Sequence, residues 1–147
     1  MKDKPVNRFK AEFPAKSINE GYARLVVSAF ASQLDPTMAE LADIKTAVSE
    51  AVTNCIVHAY RGETGYCPVL LTGAYFPDGR VVITVRDRGC GIPDLGLALT
   101  PLYTSDPAGE RSGMGFTIMQ SFCDKVTVNS RPGKGTTVRL TKLLART

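Results

Sequence analysis

The sequence has 147 residues, 44% of them hydrophobic and 22% charged, which is enough for one globular domain with its own core. No apolar stretch approaches the roughly 20 residues of a membrane-spanning helix, and the first residues lack the apolar block of a signal peptide. We therefore expect a single cytoplasmic domain over residues 1–147. The net charge of +4 is spread along the chain without lysine and arginine clusters, which disfavours a nucleic-acid-binding protein without excluding one.

The four cysteines are too widely separated to form a metal or disulfide motif. They are Cys55, Cys67, Cys90 and Cys123, with no C-x-x-C pair, and the chain has a single histidine. A zinc finger needs more closely spaced ligands, and a disulfide framework is typical of small secreted scaffolds. We therefore expect reduced thiols.

The beginning of the chain predicts a strand followed by a helix. Hydrophobic and polar residues alternate over residues 7–15, which is typical of a half-buried strand. Hydrophobic residues then recur at helical spacing over residues 17–34. Ser17 is placed to cap this helix, with Glu20 at the capping-box position three residues later.

A second helix and a hairpin follow. Thr37 and Glu40 form another capping-box pattern, and a hydrophobic stripe continues from there to Ala59. Two β-branched runs, residues 69–76 and 80–86, flank a Pro-Asp-Gly turn, which favours a hairpin.

The last part of the chain has a long irregular stretch and three short elements. Residues 93–112 are rich in glycine, proline, serine and threonine, and such stretches are often lids. A helix is predicted over residues 114–122, and strands over 125–129 and 136–143. The helices cluster early in the chain and the strands pair by hairpins. This order favours an α/β domain built as a two-layer α+β sandwich. We expect a mixed, mostly antiparallel sheet with helices on one face.

A polar row runs along the second predicted helix. Glu50, Asn54 and His58 are spaced by four, so they lie on one flank of an α-helix. Each residue alone would be compatible with a solvated surface, but the intervening segment is apolar and lacks lysine and arginine. A carboxylate and an amide one turn apart suit a hard cation and a hydroxyl group that must lose its proton.

Two glycine-containing motifs lie at element ends. Asp87, Gly89 and Gly91 form D-x-G-x-G directly after a strand, where a buried carboxylate can accept a hydrogen bond from an exocyclic amine. Gly113 and Gly115 precede a helix, whose backbone N–H groups can meet phosphate oxygens. An ordinary turn and an ordinary loop-to-helix junction explain either motif alone equally well, and neither is a Walker A or dinucleotide fingerprint.

These motifs, together with a glycine-threonine pair that opens the last strand, occur in a characteristic order. In that order the chain resembles the GHKL (gyrase, Hsp90, histidine kinase, MutL) ATP-binding family, which has the Bergerat fold. Within it, the chain is similar to the bacterial anti-sigma factors of sporulation. The resemblance covers nearly the whole chain and is carried by LDPTMAELADIKTAVSEAVTNCIVHAY, ERSGMGFTIMQS, GTTVRLTK and NEGYARLVVSAF.

The resemblance implies roles for individual residues. Glu50 would be the general base that activates the attacking hydroxyl, and Asn54 would bind Mg²⁺ and the nucleotide. Asp87 would read adenine with help from Thr136, partly through water. The glycines expected to form the wall beside adenine are Gly89 and Gly91.

The phosphate loop and the partner surface are implied in the same way. Arg111 lies where a lid arginine could meet the terminal phosphates. Arg24, on the first helix, corresponds to a residue that contacts protein partners in this family. The residues expected to hold the phosphates are Gly113, Met114 and Gly115.

The activity implied is that of a protein serine kinase that uses ATP and Mg²⁺. Its substrate would be a serine of an anti-anti-sigma protein, and as a nucleotide-bound homodimer it would sequester a sporulation sigma factor. Three alternatives stay open: a sister kinase acting on a general-stress sigma factor, a nucleotide-gated binding module without phosphate transfer, and a nucleic-acid binder.

Three positions add detail to the resemblance. Arg88 stands where close relatives often have an acidic residue, which bears on nucleotide affinity rather than on mechanism. Ala59 replaces a common glycine. We interpret His58 as a structural residue at the helix end.

Overall fold

The computed structural model describes residues 4–92 and 115–144. The predictions for the lid, for Arg111 and for Gly113 and Met114 lie outside these ranges. The elements, in the numbering used below, are β1 (Asn7–Pro14), α1 (Asn19–Ala31), a 3₁₀ turn (Ser32–Leu34), α2 (Met38–Asn54), a π turn (Cys55–Ala59), β2 (Pro68–Tyr75), β3 (Arg80–Asp87), α3 (Gly115–Phe122), β4 (Lys125–Arg131) and β5 (Gly135–Leu143).

The described strands form one five-stranded sheet in the order β1-β2-β3-β5-β4. Every pairing in it is antiparallel, with registers such as Phe9 opposite Gly73, Val69 opposite Asp87, and Arg86 opposite Thr137. The alternation of buried and half-exposed residues along β2 and β3 follows from the two-residue period of a strand. The predicted two-layer α+β fold is confirmed.

The core lies between the sheet and the helices. Alternate residues of β2, β3 and β5, such as Leu71, Ile83 and Leu140, face hydrophobic residues of the helices, such as Val27 and Val48. Burying such side chains stabilises the fold by about 1.5–3 kcal/mol each. Along the described helices, none is long and apolar enough to cross a membrane.

The starts of α1 and α2 differ in how well the sequence predicted them. At α2 both halves of the capping box form: the Thr37 hydroxyl accepts from the Glu40 N–H at 3.0 Å, and Glu40 Oε1 accepts from the Thr37 N–H at 2.9 Å. At α1 the predicted box is wrong. The cap position is Ile18, whose apolar side chain cannot make a cap hydrogen bond. The Glu20 carboxylate instead accepts a hydrogen bond from Arg24.

The end of α2 also differs from the prediction. The hydrophobic stripe predicts a regular helix to Ala59, whereas the α-helix ends at Asn54 and a π turn continues over Cys55–Ala59. A π turn is wider than an α turn, so His58 no longer continues the four-residue row of Glu50 and Asn54. The Ala59 carbonyl at its end accepts the Cys90 N–H at 2.8 Å, which ties the turn to the end of β3.

Candidate functional site

The Glu-Asn pair lies where α2 meets the start of α3. A Cβ placed on Gly115 would lie 3.3 Å from Asn54 Oδ1 and 3.5 Å from Glu50 Oε1. Glu50 and Asn54 are half-buried, one helical turn apart on α2. The absence of a side chain at Gly115 therefore lets the first turn of α3 approach both groups closely. The structure brings together these three predicted site residues from two separate segments.

Asp87 lies at the end of β3 and is only 5% exposed. Its Oδ1 accepts the N–H of Gly89 at 2.9 Å and the N–H of Thr136 at 3.2 Å. Its Oδ2 accepts the thiol of Cys55 at 3.5 Å. These contacts fix a buried carboxylate between the π turn, β3 and β5.

Burial changes the proton affinities of the Asp87 carboxyl and the Cys55 thiol. Desolvation raises the pKa of the Asp87 carboxyl, and the hydrogen bonds from Gly89, Cys55 and Thr136 oppose that rise. Burial raises the pKa of the Cys55 thiol well above its ordinary value, with a further contribution from the charge of Asp87. Cys55 is therefore a thiol, and hence a donor, at neutral pH.

Thr136 is 9% exposed and belongs to a hydroxyl network. Its Oγ1 lies 2.8 Å from Ser130 Oγ, which also accepts the Ile92 N–H at 2.8 Å and donates to the Gly135 carbonyl at 3.2 Å. Through its backbone N–H, Thr136 links this network to Asp87, so that the two residues form one buried polar group. Ser130 was not predicted, because a serine in an exposed strand pattern carries no distinguishing signal.

Gly89 and Gly91 allow backbone segments to approach one another. A Cβ on Gly89 would lie 2.1 Å from the Ala59 carbonyl oxygen, and one on Gly91 would lie 2.2 Å from the Arg131 carbonyl oxygen. Gly91 also has φ +77°, which disfavours other residues. Both glycines therefore hold the wall around Asp87 together.

We expect Gly89→Ala to destabilise the fold, because its methyl group must displace the Ala59 carbonyl and the hydrogen bond that this carbonyl accepts. A loss of about 2 kcal/mol or more corresponds to a fall in melting temperature of roughly 5–8 °C for a chain of this size. Thermal unfolding followed by circular dichroism measures it.

The matched control is Gly21→Ala, in α1, where the nearest atom to the new methyl group is Arg24 Nη2 at 3.9 Å. That change should leave the melting temperature unchanged or raise it slightly, because alanine favours helix. Equal melting temperatures for the two variants would contradict the close-approach argument.

The side chains of His58 and Arg88 are not among the groups described above that bond to Asp87. His58 Nδ1 is 3.3 Å from Arg61 Nη2, a local contact that fits its predicted structural role. Arg88 is exposed, and its backbone N–H donates to the Tyr60 hydroxyl at 2.7 Å. Tyr60 in turn donates to the Pro68 carbonyl, so it links the π turn to the start of β2 and the end of β3.

Arg24 lies on the outer part of α1. Its guanidinium donates to Glu20 at 2.7 Å and to the Ser49 hydroxyl at 3.3 Å, and Thr53 donates to the other Glu20 oxygen at 3.0 Å. The side chain of Arg24 remains 41% exposed. Its role in partner binding stays a prediction.

The amide oxygen of Asn54 fits a magnesium ion that is shared with a nucleotide. In the described part of the chain, no group of three histidine, cysteine or acidic residues could hold a metal by itself. Mg²⁺ is usually held by only one or two protein oxygens together with substrate phosphates. One hard oxygen ligand beside the start of α3, from Asn54, suits that mode.

Known proteins share both the sequence and the fold. Residues 13–142 match the family described as "Histidine kinase-like ATPase domain". The chain is 53% identical over 140 residues to the anti-sigma F factor of Caldanaerobacter subterraneus subsp. tengcongensis, covering 95% of this chain and 96% of that one. It is also 51% identical to the anti-sigma F factor of Geobacillus kaustophilus, covering 95% of this chain and 94% of the other.

Solved structures agree on the fold. The RsbU and RsbW domains of a Mycobacterium tuberculosis protein superpose with a TM-score of 0.70 at 20% identity, over 97% of this chain and 34% of that one. Full-length ShkA in complex with AMPPNP gives a TM-score of 0.61 at 20% identity, over 93% of this chain and 32% of that one.

The fold and the sequence relationships lead to the same assignment, and they confirm the resemblance inferred from the sequence motifs. The chain belongs to the histidine kinase-like ATPase domain family, in the group that includes the anti-sigma F factors.

Proposed function

We propose that this protein is an ATP-dependent serine kinase that also binds and inhibits a sporulation sigma factor. The observation that carries the kinase proposal is the position of Glu50 beside Asn54 and Gly115. A carboxylate is not needed to bind a nucleotide at this point, but it is needed to accept the proton of an attacking hydroxyl.

Adenine is read at the other end of the site. Asp87 accepts the amino group of the base, and Thr136 assists. The wall is built from Gly89 and Gly91, whose missing side chains permit the backbone contacts described above. The burial of Asp87 supports this assignment, because a water-excluded acceptor discriminates strongly against a ligand without the matching donor.

Phosphate transfer follows from the same geometry. The serine oxygen of the partner attacks the γ-phosphorus, its proton passes to Glu50, and the bond to the β-phosphate oxygen breaks to leave ADP. Asn54 would hold Mg²⁺, and the ion would supply neutralisation of phosphate charge. We assign the phosphate contacts to Arg111, Gly113, Met114 and Gly115.

A sigma factor is proposed as a partner because the relatives compared above are named anti-sigma F factors. The anti-anti-sigma protein is proposed as the kinase substrate from the resemblance seen in the sequence. Helix α1 supports a protein-binding role, since Arg24 is flanked by the exposed hydrophobic residues Tyr22 and Leu25. We also propose a cytoplasmic homodimer built around β1 and α1. Sedimentation as a monomer at micromolar concentration would contradict the dimer.

The test is transfer of radiolabelled γ-phosphate from ATP with Mg²⁺ to an anti-anti-sigma protein of the sporulation type. Label on a serine of that protein is the expected result, with no label when the serine is replaced by alanine. When it is immobilised on a column, the kinase should retain the sigma factor with ATP and lose it without nucleotide.

Other outcomes identify the alternatives. Transfer only to an anti-anti-sigma protein of the general-stress type would assign the chain to the sister kinase. ATP binding and sigma-factor retention without any label would leave a nucleotide-gated binding protein. Salt-dependent binding to DNA in place of both would contradict the proposal.

A further inference from the structure

The hydrogen bonds of Asp87 leave little of its carboxylate for a ligand. Oδ1 accepts two backbone N–H groups, from Gly89 and Thr136. Oδ2 accepts the thiol of Cys55. A carboxylate has about four lone-pair positions, and residues in the described part of the chain occupy three of them. The remaining position is on Oδ2.

Cys55 is built into the site and is not a surface thiol. It is 3% exposed, and it is the first residue of the π turn that follows Asn54. Its backbone N–H is bonded to the Ala51 and Val52 carbonyls, so the Cα position is fixed by helix geometry. Sulfur reaches Oδ2 at 3.5 Å, a normal length for a thiol donor but long for a hydroxyl.

We propose that Cys55 is a specificity-determining residue that orients Asp87 for adenine. Its thiol fixes Oδ2 from the core side and leaves one lone pair of that oxygen for the 6-amino group of the base. Cys55 therefore acts through Asp87 and does not itself contact the phosphates. The inference rests on the proposed reading of adenine by Asp87.

Without the thiol, Oδ2 has two vacant lone-pair positions and one fewer anchor. Water admitted beside it would compete with the amino group of the nucleotide, and the carboxylate could tilt. The loss of binding affinity should appear only for a ligand that carries the 6-amino group. A purely structural role of Cys55 would weaken all nucleotides alike.

The experiment compares two ligands that differ only in this group, ATP and purine riboside triphosphate, which lacks the 6-amino group. Dissociation constants are measured by calorimetry with Mg²⁺ for the wild type, Cys55→Ala, Cys55→Val and Cys55→Ser. Alanine and valine both remove the donor, and valine keeps the volume in case alanine unfolds the protein. Serine keeps a hydrogen-bond donor, but its C–O bond is shorter than the C–S bond of cysteine.

We expect Cys55→Ala and Cys55→Val to lower the preference for ATP over the analogue about three- to tenfold, the range of one hydrogen bond. Serine should restore part of that preference. The turnover of bound ATP should change little, so that KM rises while kcat stays close to the wild-type value.

The matched control is Cys123→Ala. Cys123 is a half-buried free thiol that follows α3, packs against the core and lines a small cavity together with residues such as Ile44 and Lys142. Its replacement should leave the ATP preference unchanged whatever it does to the melting temperature, which separates packing from orientation of Asp87.

Two results would contradict the proposed role of Cys55. A wild type that prefers ATP, with an unchanged preference in both donor-free variants, would overturn the role of Cys55 and leave the proposed function standing. A wild type that binds ATP and the analogue equally would overturn the reading of adenine by Asp87, and the inference about Cys55 with it.

Discussion

Replacing Glu50 by alanine should abolish phosphate transfer and leave ATP binding intact. Glu50 lies on α2 beside Asn54 and close to Gly115 at the start of α3, and neither adenine recognition by Asp87 nor the backbone wall depends on it. A general base contributes about 10²- to 10⁴-fold to the rate, so the rate of transfer should fall by at least about a hundredfold.

The measurement is transfer of labelled phosphate beside the dissociation constant for ATP. Glu50→Gln keeps the shape of the side chain but cannot take the proton, so it should be as inactive as alanine. The control is Glu63→Ala, because Glu63 is exposed between the π turn and β2, away from Glu50 and from the proposed dimer elements. If transfer survived in Glu50→Gln, the assignment of the base would be wrong.

Asp87→Asn should lose ATP affinity without losing stability. The asparagine oxygen can still accept the N–H groups of Gly89 and Thr136, which bond to a single oxygen of the aspartate. The amide nitrogen would face the amino group of adenine as a second donor, with no acceptor between them. A charged hydrogen bond is worth about 1.5–3 kcal/mol, so ATP binding should weaken at least roughly tenfold to a hundredfold.

The raised pKa of Asp87 sets the direction of the stability effect. Because burial raises that pKa, the folded protein binds the proton more tightly than the unfolded chain does. The ionised carboxylate therefore lowers stability, with the full cost above the raised pKa. This cost shrinks as the pH falls through the raised value and is gone below the ordinary pKa. Near neutral pH the melting temperature of Asp87→Asn should equal or exceed that of the wild type, and the difference should shrink in acid.

Thermal unfolding of both proteins across a pH series, with ATP titration at neutral pH, tests both parts. A variant that binds ATP as tightly as the wild type would remove Asp87 from adenine recognition. A variant that unfolds far below the wild type at neutral pH would show that the ionised carboxylate is net stabilising.

Several features of the fold and site could be predicted because they depend on short-range patterns. The Thr37 and Glu40 capping box involves residues three apart, and both of its hydrogen bonds form. The capping box at Ser17 and Glu20 has the same pattern but does not form. There the carboxylate of Glu20 is drawn to Arg24 on its own helix and Thr53 on another, and no local pattern reports the second contact.

The partners of Asp87 illustrate the same limit. A carboxylate after a strand and two glycines were enough to place an acceptor at that point. The thiol of Cys55 comes from 32 residues earlier in the chain, and the Thr136 N–H from 49 residues later. Cys55 looked like one more core residue of the hydrophobic stripe, because a pattern of hydrophobic spacing does not distinguish a thiol that packs from a thiol that donates.

By itself, the sequence determined the strands and helices to within a few residues, the two-layer fold, the family, and the positions of the Glu-Asn pair and the aspartate. These follow from hydrophobic period, turn residues and motif order, which are local or linear properties. Only the tertiary structure decided that α2 gives way to a π turn at Cys55, that Gly115 meets Glu50 and Asn54, and that three protein donors converge on Asp87. Those outcomes depend on contacts between distant segments, where burial and the need to pair every buried polar group select one arrangement among many that the local patterns allow.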